Sequence, residues 1–481
     1  MVKETTWKWI DENREEFIKV SDKIWGYAEL GLVETKSSKL IAETLEKHGF
    51  NVQLGVAGMP TGILATYGEG KPVIGLMGEY DALPGLSNKV VPRKEPLIEG
   101  APGHGCGHNI HGTSALAAAI SLRYTMEKEK LKGTIRFYGT PAEENYGGKV
   151  YMVTAGLFDD VDACLSHHPS IFNYAGMSSC TATNDYKFEF HGKTAHAAGS
   201  PEHGRSALDA VELMNIGVNY LREHVIQEAR IHYVIEAGGG QPNVVPDYAR
   251  SWYYIRAPER SQLAPITKRI LKIAEGAAMM TDTRLNAIHM GGLYNLIPNK
   301  VLADAITANM KMIGPPSYTK EELEFAKQID ATVNRDEKMD SLRATKHPEW
   351  QRFVDKLMDT EVHEPWDEGI TAPGSTDVAD VSWKTPTLEF QTATNVLGTP
   401  GHDWRWVACG GMSIGHKSLV FAAKTMAGTA LDLLASPEMI SEAKAELKKR
   451  LGDQKYVPVK PNDAPPLEIA REKAEQLKGK Q

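Results

Sequence analysis

Cysteine is scarce in this chain of 481 residues: there are four, at positions 106, 164, 180 and 409. So few, so widely spaced, exclude a disulfide framework and lead us to expect a reducing, cytoplasmic setting. A cysteine there can serve as a thiolate ligand or a nucleophile. Positive charge is also in deficit, with 54 Lys and Arg against 62 Asp and Glu and a net charge of -8. With no long basic stripe, nucleic acid is not an expected partner. No apolar run is read as reaching the roughly 18 residues of a membrane span, so no membrane partner is expected. The N-terminal stretch "MVKETTWKWIDENREEF" lacks the apolar core of a signal peptide. Internal repeats are missing as well. What remains, 42% hydrophobic and 24% charged residues, is the composition of a globular protein long enough for two or more domains.

Against this plain background one stretch stands out. "GHGCGHNIHG", residues 103–112, gathers three of the 16 histidines around Cys106. Three readings compete: a metal site, a cysteine nucleophile with a histidine base, and a tight turn that happens to hold histidines. Glycines on either side of Cys106 and His108 let backbone fold closely around an ion. Thiolate, imidazole and carboxylate are the usual ligands of zinc.

The surrounding pattern decides how much weight each reading carries. "KPVIGLMGEYDAL", "GTIRFYGTPAEE" and "VDACLSHHP" each run apolar and then end in acids or histidines. Strands buried on both faces read this way, and in an open α/β sheet sites form beyond the carboxyl ends of the strands. Asp81, Glu143, Glu144 and one of His167 and His168 are therefore expected on one edge, beside the Cys106 loop. His168 is preferred because the following proline holds it extended. His416, in "SIGHKS", is taken as a final ligand, against a helix-capping role. Asp81 is read as holding the far nitrogen of a ligand histidine, against a plain turn aspartate. Glu143 and Glu144 divide as base and ligand, against a charged loop.

From about residue 183 the texture changes to alternating strands, "DYKFEFHG", "RIHYVIEAGGG" and "ARSWYYIRAPE", with two helical patterns between and after them. These textures give an α/β protein with an inserted, smaller α+β domain, an antiparallel sheet with helices on one face. The expected boundaries are a catalytic domain over 1–182 and 295–450, the insert over 183–294, and a peripheral tail over 451–481 that is rich in proline (458, 461, 465, 466). Residues 316–372 carry no readable core period.

The ordered run "GEYDALPG", "GHGCGHNIHGTSALAAA", "YGTPAEE", "SHHP", "HGKTAHAA", "NVVPDYARSWYYIR", "GHKSL" resembles the aminoacylase and carboxypeptidase type of co-catalytic metallohydrolase. Within it the run is most similar to the branch of aminobenzoyl-glutamate and indoleacetyl-amino-acid hydrolases. The resemblance covers about residues 5–440 and implies an α/β metallohydrolase with a mixed sheet and an inserted, smaller α+β lid or dimerisation domain. It implies two divalent cations, zinc or manganese, held by Cys106, His108, Glu144, His168 and His416. It further implies Glu143 as general base and Asp81 as the partner of a ligand histidine. His196 would polarise the scissile carbonyl from a partner subunit, and Asn243 and Arg256 would grip the substrate. Glu79 stands where other branches carry a histidine ligand, which puts its role in doubt. The implied activity is hydrolysis of an N-acyl amino acid, with an aromatic acyl-glutamate foremost. The assembly would be a homodimer or a hetero-oligomer with a related subunit. A dipeptidase of the same family, a cysteine hydrolase using Cys106 and His108, and a low-activity subunit are the alternatives.

Overall fold

The computed structural model describes residues 2–459 and 464–478. Its strands are β1 Asn51–Leu54, β2 Ile63–Glu69, β3 Val73–Gly78, β4 Gly133–Gly139, β5 Ala163–Ser170, β6 Ser179–Cys180, β7 Ala182–His191, β8 Arg230–Ala237, β9 Tyr248–Ala257, β10 Arg284–Leu293, β11 Thr371–Ala372 and β12 Thr387–Ala393. Six of them form the main sheet in the order β1-β2-β4-β3-β5-β12. β4, β3, β5 and β12 run parallel, while β1 and β2 add an antiparallel edge. The carboxyl ends of the four parallel strands therefore share one edge of the sheet. β3, "VIGLMG", is buried at every residue, because helices cover both faces of the sheet.

One face packs against the helices Val2–Tyr27, His108–Glu129, Lys300–Ile313 and Ser413–Ala435. The last of these corrects one expectation. Its 23 residues are long and apolar enough to cross a membrane by length and composition, but 72% of its apolar window is buried inside the protein. Its apolarity is that of a core helix. On the other face Met77, Tyr138, Met152, Phe158 and Cys164 form a second core.

A separate antiparallel sheet, β10-β7-β9-β8, spans 182–293. Helices Ala207–Leu221 and Arg260–Thr281 cover one of its faces, burying Phe188, Phe190, Tyr253 and Ile255. Its other face is turned toward the edge where the parallel strands end.

Two stretches differ from the expectation. Residues 316–372 hold the helices Lys320–Asp330 and Arg335–Ala344, and a 3₁₀ turn at Trp350–Phe353. The first is started by a reciprocal cap between Thr319 and Glu322, with bonds of 2.7 and 3.3 Å. Each helix buries only two or three residues, too few to print a period. The tail is not peripheral over its described part. The Tyr456 hydroxyl meets Asp380 at 2.8 Å, the Val457 N–H donates to the Tyr294 hydroxyl at 2.9 Å, and Val459 and Ala470 are buried. Apolar side chains spaced through a proline-rich stretch have been buried against the body of the protein. Pro461 lies outside the described residues.

The helix His108–Glu129 approaches β3 so closely at Gly112 that an added methyl would overlap the Glu79 carbonyl oxygen. Gly112→Ala is expected to lower stability by about 1–3 kcal/mol in denaturant unfolding, since the overlapped atom is backbone. Gly240→Ala, where nothing lies within 4 Å, should change it by less than about 0.5 kcal/mol.

Candidate metal centre

The shared strand edge carries most of the residues singled out from the sequence. β3 leads into Glu79 and Asp81, β4 into Glu143 and Glu144, and β5 ends with His168. Cys106 and His108 arrive at the first turn of the helix His108–Glu129. Gly107, at φ 80°, makes the bend between them, and a side chain there would sit 2.9 Å from Pro169. Glycine thus lets the cysteine loop lie against the residue that follows His168. At Ala142 the chain turns left-handed, φ 61°, a costly conformation for a residue with a side chain. Its N–H is fixed by Glu34 Oε1 at 2.8 Å, which sets the direction of the two glutamates that follow.

Distances bring the donors together. Cys106 Sγ lies 3.4 Å from His168 Nε2, and His108 Nε2 lies 4.0 Å from Glu144 Oε1. Asp81 Oδ1 is 2.8 Å from His108 Nδ1, and Asp81 Oδ2 accepts the Glu144 N–H at 3.0 Å. One carboxylate therefore orients both a histidine and the neighbouring glutamate. Among the described residues, donor atoms fall into four groups whose members lie within 4.8 Å of one another: Cys106, His108 and His168; Cys106, Glu144 and His402; Glu79, His108 and Glu143; and Glu79, His111 and Glu389. The Cys106 thiol is common to the first two groups and would hold a cation in either. Buried Oε1 of Glu144, Nε2 of His108 and Oε2 of Glu79 make no hydrogen bond, although the last two lie 3.2 Å apart. Orphaned, buried and convergent atoms of these types fit a divalent cation.

One expected ligand, His416, lies away from the other donors. His416 lies in the first turn of the helix Ser413–Ala435, where its Nε2 meets Asp22 Oδ1 at 2.8 Å on the helix Val2–Tyr27. That helix packs on the core face of the sheet, away from the strand ends. The loop after β12 brings His402 instead, 3.6 Å from Glu144 Oε2 and left-handed at φ 53°. The signal for it was present: "TLEFQTATNVLGTPGH" is another apolar strand followed by a glycine- and proline-rich loop and a histidine.

Of the adjacent histidines, His167 is buried between Ser114 at 3.0 Å and Thr392 at 2.7 Å, which leaves His168 facing the site. Glu79 is occupied by an ion pair that the sequence does not reveal. Lys149 Nζ, fully buried, lies 2.5 Å from Glu79 and 2.6 Å from Asp377. Burial alone would raise the Glu79 carboxyl, but His111, Lys149 and His108 hold it below the usual range. Glu143 experiences the reverse: burial, then the charges of Glu79, Glu144 and Asp377, push it well up. Burial and Glu144 raise the Cys106 thiol far above neutrality. His108 opposes this rise but does not overcome burial, which tells against the cysteine-nucleophile reading.

A cavity of about 530 Å³ opens over these residues. Arg256, Tyr254, Asp185 and Tyr146 line it, and so do Val459 and Pro466 of the tail. His196 and Asn243 do not; both are exposed on the smaller sheet's loops, joined by the Ala197 N–H to Asn243 carbonyl bond of 3.0 Å.

Fold and donor set together define an α/β metallohydrolase with an additional antiparallel sheet. Residues 75–481 match peptidase family M20/M25/M40, and the chain belongs to that family. It is 41% identical over 468 residues to the B subunit of the p-aminobenzoyl-glutamate hydrolase of Escherichia coli (strain K12), covering 95% of this chain and 97% of that protein. It is 28% identical to the Xaa-Arg dipeptidase of Mus musculus, over 93% and 92% of the two chains. A dinuclear metal-binding peptidase of the M20 family from Bacillus subtilis shares the fold, with a TM-score of 0.57 at 19% identity over 88% of this chain and 99% of that one.

Lys149 is the ammonium buried beside these carboxylates. Lys149→Met is expected to cost about 3–5 kcal/mol of stability, because it strands Glu79 and Asp377 as uncompensated buried charges. Equilibrium unfolding of the variant measures it; a loss below about 1 kcal/mol would contradict the ion-pair account.

Proposed function

We propose that the protein hydrolyses the amide bond of N-acyl amino acids, with p-aminobenzoyl-glutamate or a similar aromatic acyl-glutamate as preferred substrate. The observation that carries this reading is the convergence of Cys106, His108, Glu144, His168 and His402, with Glu143 beside them, under a cavity that contains Arg256. The name and 41% identity of the Escherichia coli relative support the acyl group. In this reading the five residues hold two divalent ions, zinc by preference for a thiolate and imidazole set, with manganese as the alternative. The ions supply Lewis acidity, acidifying water and polarising the amide carbonyl.

The chain's own residues do the rest. Asp81 fixes His108 with Nε2 toward the site. Glu143 accepts a proton from water and returns it to the leaving amine. Arg256 offers a planar fork to a substrate carboxylate. His196 Nδ1 accepts backbone N–H groups of Ala198 at 3.2 Å and Gly199 at 3.0 Å, so the neutral ring carries its proton on Nε2, free to donate. Because His196 and Asn243 lie outside their own cleft, we infer that they complete the cleft of a partner subunit. That partner is a second copy or a related chain, which fits the Escherichia coli relative being one subunit of its enzyme. Four free cysteines fit a cytoplasmic setting.

Three outcomes test the proposal. Chelation followed by dialysis should abolish p-aminobenzoyl-glutamate hydrolysis, and zinc or manganese should restore it. Glu143→Gln should keep its metal by elemental analysis while kcat falls by about 10²–10⁴. His402→Ala should lose metal and His416→Ala should keep it; the opposite result would restore His416 as the ligand. For the shared cleft, inactive Glu143→Gln and His196→Ala proteins are mixed under conditions of subunit exchange. A mixed dimer holds one site with both residues, so partial activity should return. Proven exchange without recovery would place His196 in its own subunit's mechanism or in none.

A further inference from the structure

The cavity has a second wall, made by the smaller sheet. On β7 and β9 the residues turned away from the covering helices are Thr183, Asp185 and Lys187, opposite Arg256, Tyr254 and Trp252 in register. Thr183, Asp185, Tyr254 and Arg256 all line the cavity above the metal centre. Two opposite charges stand on this wall, one cross-strand diagonal apart, and among the described residues neither is in a salt bridge. Arg256 Nη1 reaches only Ser375 Oγ, at 3.4 Å, and its buried Nε has no partner.

Asp185 is the less expected of the two. Its Oδ1 accepts the indole N–H of Trp252. The adjacent cation lowers the carboxyl only through space and makes no bond to it: Lys187 Nζ bonds Glu236 at 3.0 Å and lies 4.5 Å from the centroid of the Trp252 ring. Burial raises the Asp185 carboxyl to about 6, against the bond from Trp252. At neutral pH an acceptor-only carboxylate thus faces the cavity with a single neutral donor behind it. Tyr146, two residues beyond Glu144, and Tyr254 lie in the same cavity, and both Asp185 and Tyr146 add to the effect of burial in raising the Tyr254 hydroxyl. These rings connect the metal end of the cavity to Asp185 and suit a flat substrate body between the two.

We propose that Asp185 is a specificity-determining residue: its carboxylate accepts a hydrogen bond from a nitrogen donor, an amine or guanidine, carried by the substrate at the end remote from the scissile amide. This rests on the N-acyl amino acid hydrolase reading. A substrate without such a donor leaves the carboxylate unpaired when water is expelled from the cleft, and selection follows from that penalty. The donor sits on the acyl group, as in p-aminobenzoyl-glutamate, or on the side chain of the leaving amino acid.

Two matched pairs tell these sources apart: p-aminobenzoyl-glutamate with benzoyl-glutamate, and benzoyl-arginine with benzoyl-norleucine. kcat/KM is measured for all four with the full-length, metal-loaded enzyme. The wild type should favour the donor-bearing member of one pair by about tenfold, and the pair that shows it locates the donor. Asp185→Ala should bring that ratio to within about twofold of unity, mainly through KM. Asp185→Asn replaces it should the alanine variant melt early. Trp252→Phe removes the indole N–H that lowers the carboxyl, so it should retain the preference when assayed at alkaline pH and lose it before the wild type does as pH falls. No preference in either pair for the wild type, or equal losses on both members in Asp185→Ala, would overturn the proposal and leave the hydrolase reading intact. Failure of the wild type to cleave any of the four would refute the hydrolase reading, and this inference with it.

Discussion

The site depends on one buried ammonium. Glu79, Asp81, Glu143, Glu144, Asp377 and Glu389 lie around the ends of the parallel strands, and Lys149 stands between Glu79 and Asp377 to offset part of that charge. Its effect is partial. Glu79 is held low by His111 and Lys149 together, whereas Asp377, also in contact with Lys149, and Glu143 and Glu389 have carboxyls raised chiefly by burial. Carboxyl groups therefore outnumber the one ammonium beside the thiol and the imidazoles, and those raised by burial are left to ionise against a cation. Such a surplus, desolvated and incompletely hydrogen-bonded, is an environment that binds divalent cations. Lys149 holds the frame that places the donors, and the uncompensated part of the charge is what the ions neutralise.

Close packing delivers the donors to that frame. The helix that starts at His108 reaches β3 only because residue 112 has no side chain, and the Cys106 loop reaches β5 only because residue 107 has none. Asp81 then joins His108 to Glu144, so residues from three elements move as one unit. Left-handed backbone at Ala142 and His402, both with side chains, falls at the two remaining donor loops. Strain of this kind persists where surrounding contacts over-determine the geometry, and both loops are pinned beside the same centre.

How far the sequence can be read follows from what each feature depends on. Apolar strands that end in ligands form a local pattern, and that pattern by itself puts Asp81, Glu143, Glu144 and His168 on one edge. The smaller sheet is legible because its strands alternate and its helices are amphipathic. His402 obeys the same strand-end rule, but a helix-start histidine, His416, competes with it for the assignment. Lys149 is illegible for a different reason. Its partners lie 70 and 228 residues away, and "GGKVYM" looks like any exposed lysine before an apolar turn. Burial of a charge is a property of the assembled fold, and no short window records it. The insert at 316–372 fails for want of period, since its core is shared among short helices and the aromatic side chains of Phe172, Tyr174 and Trp366.

The two sheets divide the work by their geometry. Parallel strands covered on both faces are rigid, and donors fixed at their ends can hold a demanding metal geometry. An antiparallel sheet with one face free of helices can instead present a row of alternating side chains, each replaceable without disturbing the core behind it. Thr183, Asp185, Tyr254 and Arg256 form such a row, while Phe188, Tyr253 and Ile255 on the opposite face carry the packing. Chemistry is thus confined to the wall that cannot vary and recognition to the wall that can. The described tail adds Val459 and Pro466 to the same cavity from outside both sheets. In the proposed hydrolase reading, the residues that select the substrate lie on surfaces whose alteration leaves the metal frame in place.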